Sequence, residues 1–139
     1  MNPPHLLILN ATLQLLVSSL LGVLLLIPMQ PWGKRFLQNV KSLPDLRSTH
    51  IDWLLLALMQ FGIAFALLQK PIHSQRIVAY LVIFGGWMNA TPYLVRGLWG
   101  INGFSLTGSP KQKAFAALGL ISVTSLITAF VIILLSWLF

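Results

Sequence analysis

The sequence has no cysteine, and its only two acidic residues in 139 are Asp45 and Asp52. Without thiols there are no disulfides, thiolate metal sites, CxxCH haem attachment or cysteine nucleophiles. Two isolated Asp residues cannot supply the paired carboxylates of a hydrolase, and one His with one Asp at a shared depth is too few for a zinc centre. GxSxG, HExxH, P-loop and dinucleotide fingerprints are also absent. Charge of either sign is scarce. Charged residues make up 8% of the chain and hydrophobic ones 57%, with a mean hydropathy of +0.84. Soluble domains average about 25% charge.

What is present is long apolar sequence. Residues 1–33, 53–69, 77–95 and 114–139 carry no Lys, Arg, Asp or Glu. Each run is about long enough to cross a ~30 Å hydrocarbon core as a helix. The runs are continuous rather than alternating, which argues against a β-barrel. The reading is an all-α integral membrane protein, a single four-transmembrane-helix bundle over residues 1–139 with spans at about 6–28, 50–69, 76–98 and 114–138. The first span lacks a basic leader and a small-residue cleavage site, so it reads as a retained helix rather than a signal peptide. No internal repeat is visible, which gives an inverted-repeat transporter little support.

The net charge of +7 resides in the loops. It reports topology and contact with anionic lipid rather than nucleic acid, since no basic helix or aromatic-basic platform lies outside the spans. Lys34, Arg35, Lys41, Arg47, Arg96, Lys111 and Lys113 flank the first and third loops, against Lys70 and Arg76 in the second. This asymmetry predicts loops one and three in the cytoplasm of a multi-pass inner (cytoplasmic) membrane protein, with both termini outside. Within loop one, 34-KRFLQNVK-41 has the pattern of a short basic amphipathic interfacial helix.

Polar residues at membrane depth carry the functional signal. The segment 86-GWMNATPY-93 places Asn89, Tyr93 and Arg96 at i, i+4, i+7 spacing on one face of the third span. Pro92 frees the carbonyl of residue 88 and predicts a kink, and Gly85 and Gly86 permit close approach. His50 and Asp52 open the second span at the same depth, whereas His5 and His73 lie at the opposite face. His50, Ala57, Gln60 and Ala64 share a side. Asn10, Gln14, Ser18 and Gly22 form an i+4 ridge, and Gly119, Ser122, Ser125 and Ala129 form a small-residue edge.

Bland roles fit several of these groups. Asn10, Gln14 and the serines suit interhelical hydrogen bonds, Arg96 suits an ion pair with Asp52, and Trp87, Tyr93 and Trp99 suit an interfacial aromatic belt. The sharper reading rests on convergence. One His suffices to hold a haem iron with the opposite position open, and Tyr and Asn can then supply hydrogen bonds there.

The segments 47-RSTHIDWLLLALMQFGIAFAL-67 and 86-GWMNATPYLVRGLWG-100 resemble the styrene oxide isomerase family, to which membrane hydroxylaminobenzene mutases are similar. The G-W-x-N-x-x-x-Y motif is matched by Gly86, Trp87, Asn89 and Tyr93, and the basic-then-His start of span two by Arg47 and His50. The resemblance implies a homotrimer of four-helix subunits with haem b at subunit interfaces and His50 as axial ligand. It also implies Tyr93 in the active site, with Asn89 beside it and Gly86 and Trp87 along the cofactor pocket. The iron would act as a Lewis acid, rearranging a small hydrophobic epoxide to an aldehyde. Within span two the chain departs from the family pattern at two positions: Leu56 stands where the family has an active-site Asn, and Ile51 where it has a Gly. The alternatives are a hydroxylaminobenzene mutase-like isomerase, a non-catalytic membrane haem or partner subunit, and a small multidrug-type transporter. Asp52, close to a span end, is the one acid a transporter could use. The small-residue faces of spans one and four are expected to provide close packing between subunits.

Overall fold

The structure, a computed structural model, describes residues 1–33 and 40–139. Among the described residues, five α-helices make four spans: α1 (Pro3–Leu24), continued by a 3-10 turn at Ile27–Met29, α2 (Leu43–Gln69), α3 (Gln75–Met88), α4 (Thr91–Trp99) and α5 (Pro110–Leu138). Four helical stretches are long and apolar enough to cross a membrane, with α3 and α4 together forming the third. The expected all-α, four-span architecture is therefore what the chain adopts. The expected basic interfacial helix falls outside the described residues, apart from Val40 and Lys41. Lys41 precedes α2 at a bend and donates its N–H to Gly97 O at 2.8 Å.

Local chemistry sets the helix ends. Asn2 caps α1 by accepting the His5 N–H, with Pro3 and Pro4 in the first turn. Ser42 caps α2 ahead of Pro44, and Asp45 complements the positive end of the helix dipole. A reciprocal Ser109–Gln112 capping box opens α5. Gly100, at φ 68°, closes α4 in the left-handed region. Helices α2 and α5 thus begin before the apolar runs do, because caps and prolines start a helix while hydropathy registers only its passage through lipid.

The bundle packs α1 on α2, α3 on α5, and α4 between α2 and α5, with α1 also touching α3. Its apolar core, including Leu7, Leu67, Val78, Val82 and Ile133, gathers at the end formed by the start of α1 and the end of α2. Leu16, Leu20, Leu55, Phe65, Ile127 and Leu134 point outward, as a lipid-facing surface requires. Both expected small-residue edges are used inside the chain. Gln14 and Ser18 are fully buried against α2. Ser122 and Ala129 are buried in the bundle, and a Cβ on Gly85 would stand 3.0 Å from Ser122 O.

Candidate functional site

His50 lies in the second turn of α2, half-buried against α1. Its Nδ1 is 2.8 Å from Ser18 O and 3.0 Å from Ser18 Oγ, and that hydroxyl donates to His50 O at 2.8 Å. Since the Ser18 proton is committed to the His50 carbonyl, Nδ1 carries the ring proton and donates it to Ser18 O. The lone pair is left on Nε2, which has no hydrogen-bond partner among the described residues. A metal-ligating histidine is usually held in this way, with its distal N–H on a backbone carbonyl and the other nitrogen free. Gly22, one turn beyond Ser18, makes room for the ring; a Cβ there would lie 2.7 Å from His50 Cε1. No group of three His, Cys, Asp or Glu residues gathers among the described residues. One nitrogen donor can suffice to hold a haem iron, and His50 Nε2 is unpartnered among the described residues.

The third span breaks where Pro92 predicts. The last rung of α3 runs from Asn89 N–H to Gly85 O, and the next backbone bond is Leu94 N–H to Ala90 O. Carbonyls stranded by such a break need partners within the membrane. Gly86 O accepts from Gln14 Nε2 at 2.6 Å, and Trp87 O accepts from Trp53 Nε1 at 3.2 Å. The Trp53 and Trp87 rings meet edge to face, with centroids 5.5 Å apart. From Trp87 the bonding continues: its Nε1 donates to Asn10 Oδ1 (3.0 Å), Asn10 Nδ2 to Gln60 Oε1 (2.6 Å), and Gln60 Nε2 to Gln14 Oε1 (2.5 Å). The circuit closes on itself, leaving Gly86–Trp87 and returning to it. A Cβ at position 86 would sit 2.7 Å from Gln60 Nε2, so any larger residue there would have to displace that amide from the circuit.

Asn89 caps α3 at the break, and its side-chain amide makes no hydrogen bond to a described residue. It is the one polar side chain lining a cavity of about 220 Å³ between α4, the loop that follows it and α5. Pro92, Phe104, Leu106, Gly119 and Val123 supply apolar walls. Tyr93 stands beside this cavity without lining it. Its ring packs edge-on against Phe104, centroids 4.8 Å apart, and its hydroxyl has no partner among the described residues. The Arg96 guanidinium lies 5.2 Å from the Phe104 ring and 5.9 Å from the Tyr93 ring.

Arg96 does not pair with Asp52. Its Nε donates to Asp45 Oδ2 at 2.8 Å and its Nη2 to Asp45 Oδ1, a two-pronged bridge from α4 to the first turn of α2. The early start of α2 brings Asp45 level with the end of α4, while Asp52 lies about two turns deeper. His5 and His73 are exposed, and Ser18 is 13 residues beyond His5 on α1, about 20 Å at 1.5 Å per residue.

The site residues therefore fall into two groups. His50 faces α1, whereas Asn89 and Tyr93 face α5 and the loop before it, and the cavity that Asn89 lines does not include His50. The sequence signalled the ridge Asn10–Gln14–Ser18–Gly22, but not that two of its members would clasp His50 and two would close a circuit on Gly86–Trp87. Trp53 carried no signal beyond being aromatic.

The family described as styrene oxide isomerase matches residues 4–139, nearly the whole chain. The chain belongs to the styrene oxide isomerase family. No curated protein and no solved structure gives a match. Membership supports a styrene oxide isomerase-like function, and the four spans fit an integral membrane protein.

Proposed function

We propose that the chain is a haem b-dependent membrane isomerase that converts a small hydrophobic epoxide, of the styrene oxide kind, to an aldehyde. The observation that supports this most directly is His50, with Nδ1 anchored on Ser18 O, Nε2 unpartnered and Gly22 clearing space beside the ring. In this reading His50 holds the haem, whose iron supplies Lewis acidity toward an epoxide oxygen with no net redox change.

The remaining work falls to this chain's own donors. Ring opening builds negative charge on oxygen, and a preorganised N–H or O–H aimed at that oxygen stabilises it more than it stabilises the ground state. Tyr93 Oη and Asn89 Nδ2 suit the task, since neither has a partner within the described chain to compete for the proton. The apolar walls beside Asn89 suit an aryl group and exclude water, which would otherwise divert an opened epoxide to a diol.

His50 and the Asn89–Tyr93 pair lie on different faces of one subunit, so the reading places the complete site between copies, in a homotrimer with haem at the subunit interfaces. The basic-residue asymmetry supports loops one and three on the cytoplasmic side of the inner membrane. Leu56, apolar and half-buried where the family pattern has Asn, removes one polar group from the epoxide reading and prompts a second one in which an arylhydroxylamine is the substrate.

The test is an absorption spectrum of detergent-purified protein, followed by incubation with styrene oxide and with phenylhydroxylamine. A Soret band with aldehyde formation supports the first reading. A Soret band with arylhydroxylamine turnover alone supports the second. The absence of any Soret band from protein made with ample haem overturns both.

A further inference from the structure

We propose that Asn10, Gln14 and Gln60 are positioning residues that hold the corner from which Asn89 and Tyr93 project; this rests on the reading of those two as the substrate-facing donors. The circuit Trp87 Nε1 → Asn10 → Gln60 → Gln14 → Gly86 O runs head to tail, each amide accepting from one neighbour and donating to the next. It starts and ends on adjacent residues of α3, so it grips both the backbone and the side chain of one corner. Asn89 is less than a helical turn further on, and Tyr93 about one turn beyond that.

Helix stability alone does not call for this arrangement. A break before proline strands carbonyls, but single Ser or Thr hydroxyls or a water can satisfy them. Here three amide side chains from two other helices are used, and Gln14 and Gln60 are wholly buried. A closed circuit of charge-neutral amides resists rotation of the corner about the α3 axis, because any turn strains every bond at once and hydrogen-bonded chains reinforce one another. Trp53 adds a fifth bond at Trp87 O, and the edge-to-face stacking of the two indoles opposes tilt. Beyond the break, α4 is tied at its far end, where Arg96 bridges to Asp45 and Gly97 O accepts the Lys41 and Ser42 N–H groups, and those bonds leave the turn that carries Asn89 and Tyr93 unpinned. Asn89 and Tyr93 have no side-chain hydrogen bonds to described residues, so their aim depends on how firmly the corner before them is set.

The experiment compares Gln60→Met with Gln60→Glu. Methionine keeps the volume and removes both bonds, whereas a protonated carboxyl in the membrane interior can still accept from Asn10 and donate to Gln14. Two measurements are made. The first is steady-state turnover beside the haem spectrum. The second is the distance distribution between spin labels at Trp99→Cys on α4 and Ile121→Cys on α5, both exposed positions in a chain with no other cysteine, diluted with unlabelled chain. Misplacement of about 1 Å costs on the order of a hundredfold in rate. The expected result for Gln60→Met is a kcat fall of about ten- to a hundredfold, with KM and the Soret band held and the label distances broadened. Gln60→Glu should restore both kcat and the narrow distribution. Thr12→Ala, whose exposed hydroxyl bonds only Ile8 O of its own helix, should match wild type.

If Gln60→Met does not fold, Gln14→Asn shortens one link of the circuit without removing its polarity, and the same outcomes apply. An unchanged label distribution overturns the proposal whatever happens to kcat, as does a loss of haem in parallel with activity. Should wild type turn over neither epoxide nor arylhydroxylamine, the isomerase reading falls by itself, and the label distances alone decide whether the circuit holds α4.

Discussion

Ser18 and His50 bind each other twice, through Nδ1–H to the Ser18 carbonyl and through the Ser18 hydroxyl to the His50 carbonyl. The first bond sets the tautomer and the second ties the two backbones together. With Nδ1 anchored on Ser18 and the His50 backbone held by the same residue, the direction of Nε2 is set. An unpartnered Nε2 held in this way is what the proposed haem-ligand role of His50 requires.

His50→Ala should therefore abolish the Soret band, while His5→Ala and His73→Ala retain it. Neither of those exposed residues lies near Ser18, and neither can substitute. The check is the haem-to-protein ratio of purified variants; a normal ratio in His50→Ala removes this residue as the ligand.

Gly22→Ala is a milder probe of the same contact. The new methyl would approach His50 Cε1 to 2.7 Å, closer than Cβ atoms tolerate, so the ring must swing or α1 must shift. Overpacking of this kind costs about 1–3 kcal/mol. Haem affinity should drop by about ten- to a hundredfold with a shifted Soret maximum, as measured by haem titration of apoprotein. Unaltered affinity would mean that the ring can swing without consequence.

Asp45→Asn should lower the thermal midpoint in detergent, and Asp52→Asn should leave it nearly unchanged. Asp45 is buried and joined to Arg96 by two hydrogen bonds, whereas Asp52 has no such bridge to that residue. Charge-assisted bonds of this type contribute about 1.5–3 kcal/mol each, less where the partner is half-exposed as Arg96 is. Arg96→Lys should fall between the two, because an ammonium cannot make the parallel pair. Differential scanning fluorimetry of the three variants orders them, and equal midpoints for Asp45→Asn and wild type would reduce the bridge to a surface contact.

Where the sequence was legible, a physical period or a forced defect made it so. Apolar length specified the four spans, and Pro92 specified the break after Met88, because neither depends on a partner. The i+4 spacing of Asn10, Gln14, Ser18 and Gly22 showed a ridge, but a ridge does not say what it meets. Ser18 and Gly22 meet His50, while Asn10 and Gln14 meet Gln60 and the Gly86–Trp87 corner, and that division depends on how far α1 slides along α2. The Asp45–Arg96 pair was misassigned for a related reason. Hydropathy placed the start of α2 at the lipid boundary, whereas Ser42 and Pro44 start it earlier, and the extra turns bring Asp45 rather than Asp52 level with the end of α4.

Tyr93→Phe separates a catalyst from a scaffold. The Tyr93 ring is held by Phe104 and lies close to Arg96, contacts that a phenylalanine ring keeps in full. The hydroxyl has no partner among the described residues, so its removal orphans nothing and should leave the thermal midpoint, oligomeric state and haem content near wild type. If that hydroxyl donates to an oxygen on which charge grows during ring opening, the loss is confined to the barrier. Removing one such donor costs about 2.7–4 kcal/mol, or on the order of 10²–10³ in rate. The fall should appear in kcat with little change in KM, because the ground-state epoxide oxygen carries little charge for the phenol to bind. Phe104→Ala is the companion variant: it leaves the hydroxyl but frees the ring, and should lower kcat by less while softening the structure. A Tyr93→Phe enzyme with full activity would transfer the donor role to Asn89, whose amide already lines the cavity. A Tyr93→Phe protein that loses haem as well would make Tyr93 part of the cofactor's support.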